Sequence, residues 1–414
     1  MNKLVITYIE KFKYFILFLL VILFPVNQQL HIRPFSSIDG VIIDYLMVKI
    51  SIPEILLMIL SILNIRYFYS LFIDKFKKIT FVNVSLLICF CFIILNIWNS
   101  NYLNLSIYEN LIMVLIFLNS LTLIYYEKLD VTNLISLSLK FWMVILLLLG
   151  LFQVYFQESV LGSYYYFGEF TYSSDNYHIK QDGFIFKNLI PAYGIFSHSN
   201  IYGGFFLICS MFLHLLKRNN VYFTFIAIVG VIISGSLNIL IGLILFFIFY
   251  YLNLNIKFLI LYPIFIFFLI SFLSLDFKKY SEDLSVYRRV YMINLSNQKF
   301  LENLTNTFIG FGYYNYFKFV SEDLYFYEII RFFQPPHNVF YFLIWNYGLI
   351  FLISFTYLLF KMIKNSSHDF QLIALMLISI SMFDHFLFTN HQMKMLLFLL
   401  LPYSLNRVFS IRMK

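Results

Sequence analysis

Charged side chains are scarce in this chain: Asp, Glu, Lys and Arg together make up 12% of the 414 residues, while 61% of the residues are hydrophobic. A water-soluble domain of this length needs far more charge to keep its surface hydrated. The composition therefore predicts a protein that lies in a membrane. The net charge of +8 does not indicate nucleic-acid binding, because the Lys and Arg residues stand in short clusters beside apolar segments.

Cysteine and the common cofactor motifs are also scarce. The three cysteines, Cys89, Cys91 and Cys209, lie within apolar segments, and their spacing matches neither a disulfide framework nor a metal site. The chain has no phosphate-binding loop of the Walker type, no His-Glu-x-x-His sequence and no Cys-x-x-Cys sequence. These absences argue against an ATPase, a metalloprotease and a redox carrier. We expect neither a cofactor nor a bound metal ion.

Long apolar segments are what the chain does contain. Continuous apolar runs of about 18 or more residues are typical of transmembrane helices. We therefore predict an all-α polytopic membrane protein, with about twelve transmembrane helices in a single domain covering residues 1–414. The predicted spans are 13–28, 51–65, 80–97, 109–126, 133–156, 191–216, 221–236, 237–252, 257–275, 339–361, 370–388 and 394–409.

The distribution of Lys and Arg orients these spans. If the N-terminus is cytoplasmic, twelve spans return the C-terminus to the cytoplasm, and the short loops on the opposite side carry few cations. This is the bias expected of cytoplasmic loops. Two long loops, 157–190 and 276–338, then lie outside. Both are rich in Tyr and Phe, which favours an ordered cap over a disordered tether.

The second long loop holds the strongest candidates for chemistry. It ends in Gln334-Pro335-Pro336-His337-Asn338, which leads directly into an apolar span. A His at this boundary can act as a base near neutral pH, or it can simply cap the helix. Arg288 and Arg289 can bind phosphate oxygens, or they can meet lipid headgroups and acidic neighbours. Ser197-His198-Ser199-Asn200 either caps a helix or belongs to a site.

Four short motifs within residues 190–360, taken in order, resemble the O-antigen ligase/polymerase family of bacterial membrane glycosyltransferases. The motifs are Gly194-Ile195-Phe196-Ser197-His198-Ser199-Asn200, then Ser234-Gly235-Ser236, then Arg288 and Tyr291 with Gly310-Phe311-Gly312-Tyr313, and last His337-Asn338-Val339-Phe340-Tyr341 with Asn346-Tyr347-Gly348-Leu349.

Three positions depart from the family's pattern. Leu237 stands where the family usually carries Arg, Ser199 replaces a Pro, and Asn346 stands near a usually acidic position. If the missing Arg normally holds a diphosphate, another cation must hold it here.

The resemblance implies a GT-C-like fold with a large external loop before the tenth span. It implies a glycosyltransferase of the bacterial cell membrane that polymerises undecaprenyl-diphosphate-linked repeat units into O-antigen, capsular or exopolysaccharide on the external face. A ligase that transfers the glycan to lipid A core in lipopolysaccharide, and a lipid-linked-glycan flippase, stay open as alternatives. The implied partners are the lipid-linked glycan, membrane lipid, and a flippase and chain-length regulator of the same pathway.

The resemblance also implies roles for individual residues. His337 takes the role of the base and Arg288 that of the group that stabilises the diphosphate, in a metal-independent, inverting transfer. The residues with implied substrate-binding roles are Arg289, Asn338, Asn200, His198 and Arg331. Six tyrosines of the two long loops are either platforms for sugar rings or part of an interfacial aromatic belt: Tyr164, Tyr165, Tyr166, Tyr313, Tyr314 and Tyr316.

Overall fold

The chain folds into a bundle of helices with very little sheet, which agrees with the predicted all-α membrane class. The computed structural model describes residues 3–33, 37–38, 41–76, 80–123, 131–161, 168–170, 189–252, 284–323, 334–382 and 384–402.

The helices are numbered in chain order among the described residues. The first nine are α1 (Lys3–Leu23), α2 (Ile52–Leu63), α3 (Ile65–Phe76), α4 (Phe81–Asn99), α5 (Leu103–Leu123), α6 (Val131–Phe156), α7 (Ser199–Leu215), α8 (Val221–Ile233) and α9 (Leu237–Tyr251). The later ones are α10 (Leu284–Glu302), α11 (Leu304–Ile309), α12 (Tyr316–Asp323), α13 (Val339–Lys364), α14 (His368–Ser381), α15 (Phe386–Thr389) and α16 (His391–Leu400).

Apolar helices dominate this part of the chain. Four of the described helices, α4, α5, α6 and α13, are long and apolar enough to cross a membrane, and α2, α7, α8, α9 and α14 are shorter apolar helices. The predicted span 257–275 lies outside the described residues, and the span 394–409 is described only to residue 402. The number twelve therefore stays a prediction, as does the GT-C-like arrangement.

Several predicted spans have different boundaries in the structure, and two of these differences matter for the site. The span predicted at 191–216 is helical only from Ser199. The preceding residues are not helical, and Gly194 among them has a φ of 59°. The span predicted at 370–388 is interrupted: α14 ends at Ser381, and a new short helix begins at Phe386. Each break exposes polar backbone groups that side chains must satisfy.

The loop between α1 and α2 forms a β-hairpin-like structure that the sequence did not predict. Strand β1 (Gln29–Ile32) pairs antiparallel with β4 (Val48–Ser51), and Gln29 lies opposite Ser51. Within that loop, β2 (Ser37–Ile38) pairs with β3 (Val41–Ile42), and a single 3-10 turn covers Asp44–Leu46. Strand β4 leads directly into α2, because Ser51 and Glu54 form a reciprocal capping box at its start.

Two hydrophobic clusters form the core. One joins α1, α2, α5 to α9 and α14 to α16. The other joins α4, α10, α12 and α13 with the segment before β4. The two clusters adjoin at Phe388 of α15, which packs against both and meets the ring of Phe355 of α13 with 6.3 Å between centroids. The loop that precedes α13 adjoins the second cluster, and the segment that follows α14 adjoins the first cluster.

Two of the sequence motifs pack against each other. Gly348 breaks the helical geometry of α13 with a φ of 85°, and a Cβ there would lie 2.3 Å from the backbone oxygen of Phe308. The break lets Trp345 accept a hydrogen bond through its backbone oxygen from the Phe311 amide at 2.8 Å. Asn346 adds a second hydrogen bond between these two segments, since its side-chain oxygen accepts from the Tyr314 amide at 2.9 Å. These motifs therefore have a packing role in the fold.

Tyr313, Tyr314 and Tyr316 are buried in the second cluster. Their rings contact one another and Phe317, with the centroids of Tyr313 and Tyr314 4.5 Å apart and those of Tyr316 and Phe317 4.2 Å apart. Both predicted positions for these three rings, as exposed sugar platforms or as an interfacial belt, are wrong for this reason. They are core residues. Tyr164, Tyr165 and Tyr166 lie outside the described residues.

A largely buried ion pair joins α5 to α16, with 17% of the Glu109 side chain exposed. Lys394 donates to the carboxylate of Glu109, and Lys394 is only 2% exposed. On the same helix as Glu109, Tyr108 donates its hydroxyl to Oε2 of Glu54 at 2.8 Å. Both carboxylates thus lie within the bundle with a hydrogen-bond donor, as buried charges require.

Lys394→Met is expected to destabilise the protein by about 3–5 kcal/mol, because it leaves the Glu109 carboxylate buried without its cation. The double variant Glu109→Gln/Lys394→Met removes both charges and is expected to recover most of that loss. Thermal unfolding of the purified protein in detergent measures both effects.

The matched control is Lys49→Met, since Lys49 pairs with Asp44, whose side chain is 63% exposed. An exposed pair contributes only about 0–1 kcal/mol. Equal destabilisation by the Lys49 and Lys394 variants would contradict the importance of the buried pair.

Candidate functional site

Polar side chains from separate segments converge where the two clusters adjoin. His337 comes from the loop before α13, Asp384 and His385 from the break between α14 and α15, and Asn200 from the first turn of α7. Tyr45, from the segment between β3 and β4, covers His385 edge-on with the ring centroids 6.0 Å apart. These segments are far apart in sequence, so only the tertiary fold brings them together.

The position of His337 is determined by its neighbours in sequence. Asn338 caps α13, since its side-chain oxygen accepts from the amides of Phe340 and Tyr341 at 2.9 and 3.3 Å. The Nε2 atom of His337 lies 3.1 Å from the side-chain oxygen of Gln334. Because that oxygen can only accept, Nε2 carries the proton and Nδ1 presents a lone pair. Nδ1 is buried and has no hydrogen-bond partner among the described residues.

Asp384 lies directly opposite this lone pair. Its Oδ1 atom is 3.9 Å from Nδ1 of His337 and accepts from the backbone amide of His385 at 2.8 Å. Its Oδ2 atom accepts from the side-chain amide of Asn200 at 3.3 Å. Asp384 is 8% exposed. The carboxylate is therefore held on two sides, and its third side faces His337.

His385 completes the cluster. Its ring lies 5.2 Å from that of His337 between centroids, and its Nδ1 atom is 2.7 Å from the hydroxyl oxygen of Thr389. The backbone oxygen of His385 also lies 3.2 Å from that hydroxyl; when the hydroxyl donates to this oxygen, it accepts from Nδ1–H. This arrangement leaves the lone pair on Nε2. His385 is 5% exposed.

The facing atoms of His337 and Asp384 are both electron-rich. A lone pair and a carboxylate 3.9 Å apart repel each other unless a donor or a cation lies between them. A hydroxyl oxygen about 2.8 Å from each atom fits this separation and can donate its proton to one of them. The space between these two atoms therefore fits a hydrogen-bond donor or a cation.

The electrostatic surroundings keep His337 neutral. Burial lowers the pKa of its imidazole well below the usual 6.5, and the positive charge of Arg289 lowers it further. The carboxylate of Asp384 raises that pKa, while His385 and His198 lower it. Since only a neutral imidazole accepts a proton, these influences leave His337 ready to act as a base near neutral pH.

The structure describes the side chain of only one of the two adjacent arginines. Arg289 lies on α10, and its charge acts on His337, Asp384 and His385. Arg288 lies on the same helix, but its side chain is outside the described part of the structure, and Arg331 is outside it altogether. Arg289 is therefore the cation that the described residues place beside the cluster.

The remaining predicted residues stand at helix starts. His198 caps α7, its Nδ1 accepting from the amide of Asn200 at 3.1 Å. Asn200 does more, because its side chain also donates to Asp384. The oxygen of Asn338 is engaged in capping α13. His198 therefore has the predicted capping role. Asn200 also contacts the cluster, through its hydrogen bond to Asp384.

Asp384 and His385 were missed in the sequence because they fell inside the span predicted at 370–388. A signal was present: two adjacent ionisable residues within an apolar run are a default indication of a functional position. They also form, with His337, a group of three possible metal ligands that lie within 4.8 Å of one another, although the sequence predicted no metal site.

Comparison with known proteins does not identify a family for this chain: no family model, no curated protein and no solved structure matches it. The resemblance to the O-antigen ligase/polymerase family therefore depends on the quoted motifs alone.

The pKa of His337 predicts a loss of stability in acid. The folded protein resists protonating His337, whereas the unfolded chain binds that proton below pH 6.5, so stability falls as the pH drops below this value. The loss approaches about 1.4 kcal/mol per pH unit for one such group. His337→Gln removes this contribution, so its thermal midpoint should fall less than the wild-type midpoint on acidification.

The control is His368→Gln, which removes an exposed His at the opposite end of α14 from Asp384. This variant should keep the wild-type loss in acid. An unchanged acid loss in His337→Gln would show that the imidazole is not held neutral by its surroundings.

Proposed function

We propose that the protein is a membrane glycosyltransferase that transfers a glycan from an undecaprenyl-diphosphate carrier to a sugar hydroxyl. In this proposal it joins repeat units into O-antigen, capsular or exopolysaccharide. The observation that carries the proposal is the unpaired Nδ1 of His337, which faces the carboxylate of Asp384 with the charge of Arg289 nearby. A base, a carboxylate and a permanent cation are the groups that this transfer needs.

The base acts on the acceptor sugar. Its hydroxyl lies between His337 and Asp384 and gives its proton to Nδ1 as the oxygen attacks the anomeric carbon of the donor. The imidazolium that forms is stabilised by the Asp384 carboxylate, 3.9 Å away. Asn200 keeps that carboxylate in place through its hydrogen bond to Oδ2. Asp384 and Asn200 are thus positioning residues for His337.

The cation acts on the leaving group. As the new bond forms, the bond between the anomeric carbon and the diphosphate oxygen breaks, and the electron pair leaves with the diphosphate. Arg289, with or without Arg288, neutralises the charge that develops there. No step requires a metal ion. A single displacement of this kind inverts the configuration at the anomeric carbon.

The surroundings suit a lipid-linked donor. Large apolar side chains are exposed on the long helices, for example Phe81 and Trp98 of α4 and Tyr155 of α6, and in a bilayer they contact lipid. Segments that the charge distribution puts outside supply Tyr45, Arg289 and His337. We therefore put the site on the external face of the bacterial cell membrane, with both termini cytoplasmic. A flippase and a chain-length regulator of the same pathway are its expected partners.

His337→Ala is expected to lower transfer by about two to four orders of magnitude, because the acceptor hydroxyl loses its base. Protein level and membrane insertion should stay as in the wild type. The assay follows elongation of a purified lipid-linked glycan by the protein in nanodiscs, with His368→Ala as the control that should retain activity. Wild-type rates in His337→Ala would remove this residue from the mechanism.

Polymerase and ligase are separated by the surface polysaccharide of a strain that lacks the gene. A polymerase predicts single repeat units attached to core, with long chains restored by the wild-type gene and not by His337→Ala. Free core with long lipid-linked glycan accumulating behind it would indicate the ligase instead. An unchanged ladder on the gel would exclude the glycosyltransferase.

A further inference from the structure

His337, Asp384 and His385 form a group whose geometry has a second consequence. One ring nitrogen of each His and one carboxylate oxygen lie within 4.8 Å of one another. The group combines two neutral imidazole donors with one anionic oxygen, and it is largely buried. It differs from an acidic surface cluster, because most of its donors are nitrogens and its atoms are withheld from water.

The hydrogen bonds around the group direct the lone pairs of both rings. Gln334 accepts from Nε2 of His337, which leaves the lone pair on Nδ1, and Thr389 accepts from Nδ1 of His385, which leaves it on Nε2. Imidazoles that bind metals typically donate their other N–H to a fixed acceptor in this way. Asp384 is likewise oriented, by the side chain of Asn200. All three potential ligands therefore already have supporting partners.

A separate observation points to a ligand between His337 and Asp384. Nδ1 of His337 is buried and has no hydrogen-bond partner among the described residues, and it faces a carboxylate oxygen 3.9 Å away. Two ligands about 2 Å from a tetrahedral ion lie about 3.3 Å apart. The pair needs to approach by only about half an ångström to share one ion, a shift that side-chain rotation can supply.

The donor set selects the kind of ion. Mg²⁺ and Ca²⁺ prefer oxygen ligands, whereas imidazole suits Zn²⁺ and its neighbours in the first transition row. Two His and one Asp leave a fourth tetrahedral position open, as in zinc sites with three protein ligands. Arg289 opposes any cation here by its charge, which favours a reversible site over a permanently occupied one.

We infer that His337, Asp384 and His385 form a site for a divalent transition-metal ion of the Zn²⁺ type, and that the ion blocks glycan transfer when bound. The blockade rests on the proposed function: the ion occupies the lone pair on Nδ1 of His337, so the acceptor proton has no base. Metal binding itself does not depend on that function and is measured separately.

The test titrates Zn²⁺ into the tag-free, full-length protein in nanodiscs after treatment with a chelator. Isothermal titration should show one saturable site, and Co²⁺ in its place should give the absorption of a four-coordinate ion. His385→Gln should weaken binding at least tenfold, because a ligand is lost. Thr389→Val, which removes the partner of the His385 ring, should weaken binding by about tenfold or more.

The matched control is His368→Gln, which also removes one imidazole but at the far end of α14; it should bind Zn²⁺ as the wild type does. In the transfer assay, Zn²⁺ should inhibit the wild type and a chelator should reverse the inhibition. Thr389→Val, which changes only the support of the His385 ring, should keep its basal transfer and need a higher Zn²⁺ concentration for inhibition.

Absence of saturable binding, or equal affinity in wild type and His385→Gln, would overturn the site. Saturable binding that leaves wild-type transfer unchanged would overturn the blockade. A wild-type protein that binds Zn²⁺ but never transfers glycan would instead contradict the proposed function and leave the metal site standing, so the two failures are distinguishable.

Discussion

Side-chain amides hold the non-helical backbone of this apolar bundle, and the site depends on them. Gln153 of α6 accepts from the Gly194 amide at 2.7 Å and donates to the Gly194 oxygen at 2.8 Å, which fixes the chain before α7. Asn338 caps α13, and Asn346 fastens the loop after α11. Without water nearby, an unpaired backbone group costs several kcal/mol. These side-chain amides therefore stabilise the ends of helices, and the candidate site lies at such helix ends.

The electrostatics of the site follow from the same surroundings. Burial disfavours a charged imidazole, so His337 is a neutral base rather than a partner in an ion pair with Asp384. Asp384 carries a negative charge and Arg289 a positive charge, and both act on His337. In the proposed transfer, this pair of charges suits a proton that reaches the imidazole while negative charge develops on a diphosphate. The proposed metal site uses the same lone pair of His337.

The sequence predicted long helices well, because each corresponds to a long apolar run. It did not predict short breaks in those helices or the burial of individual side chains. Continuous apolar runs predicted α4 and α6 closely, since such runs leave the backbone little choice but a helix. His337 was singled out because it follows two prolines and precedes the first turn of an apolar span. Asp384 was hidden because its span reads as apolar on average, and a break of a few residues barely changes that average. The buried Tyr313 shows the same limit, since burial depends on distant partners.

The sequence by itself determined the membrane class, the helical bundle and the local setting of His337, because composition, apolar run length and capping act on neighbouring residues. Only the tertiary structure decided which residues face His337. Asn200 and Arg289 lie on different helices and Asp384 lies in the break between α14 and α15, and their arrangement around His337 depends on how the two hydrophobic clusters adjoin. Such packing is a property of the whole chain, and no local pattern encodes it.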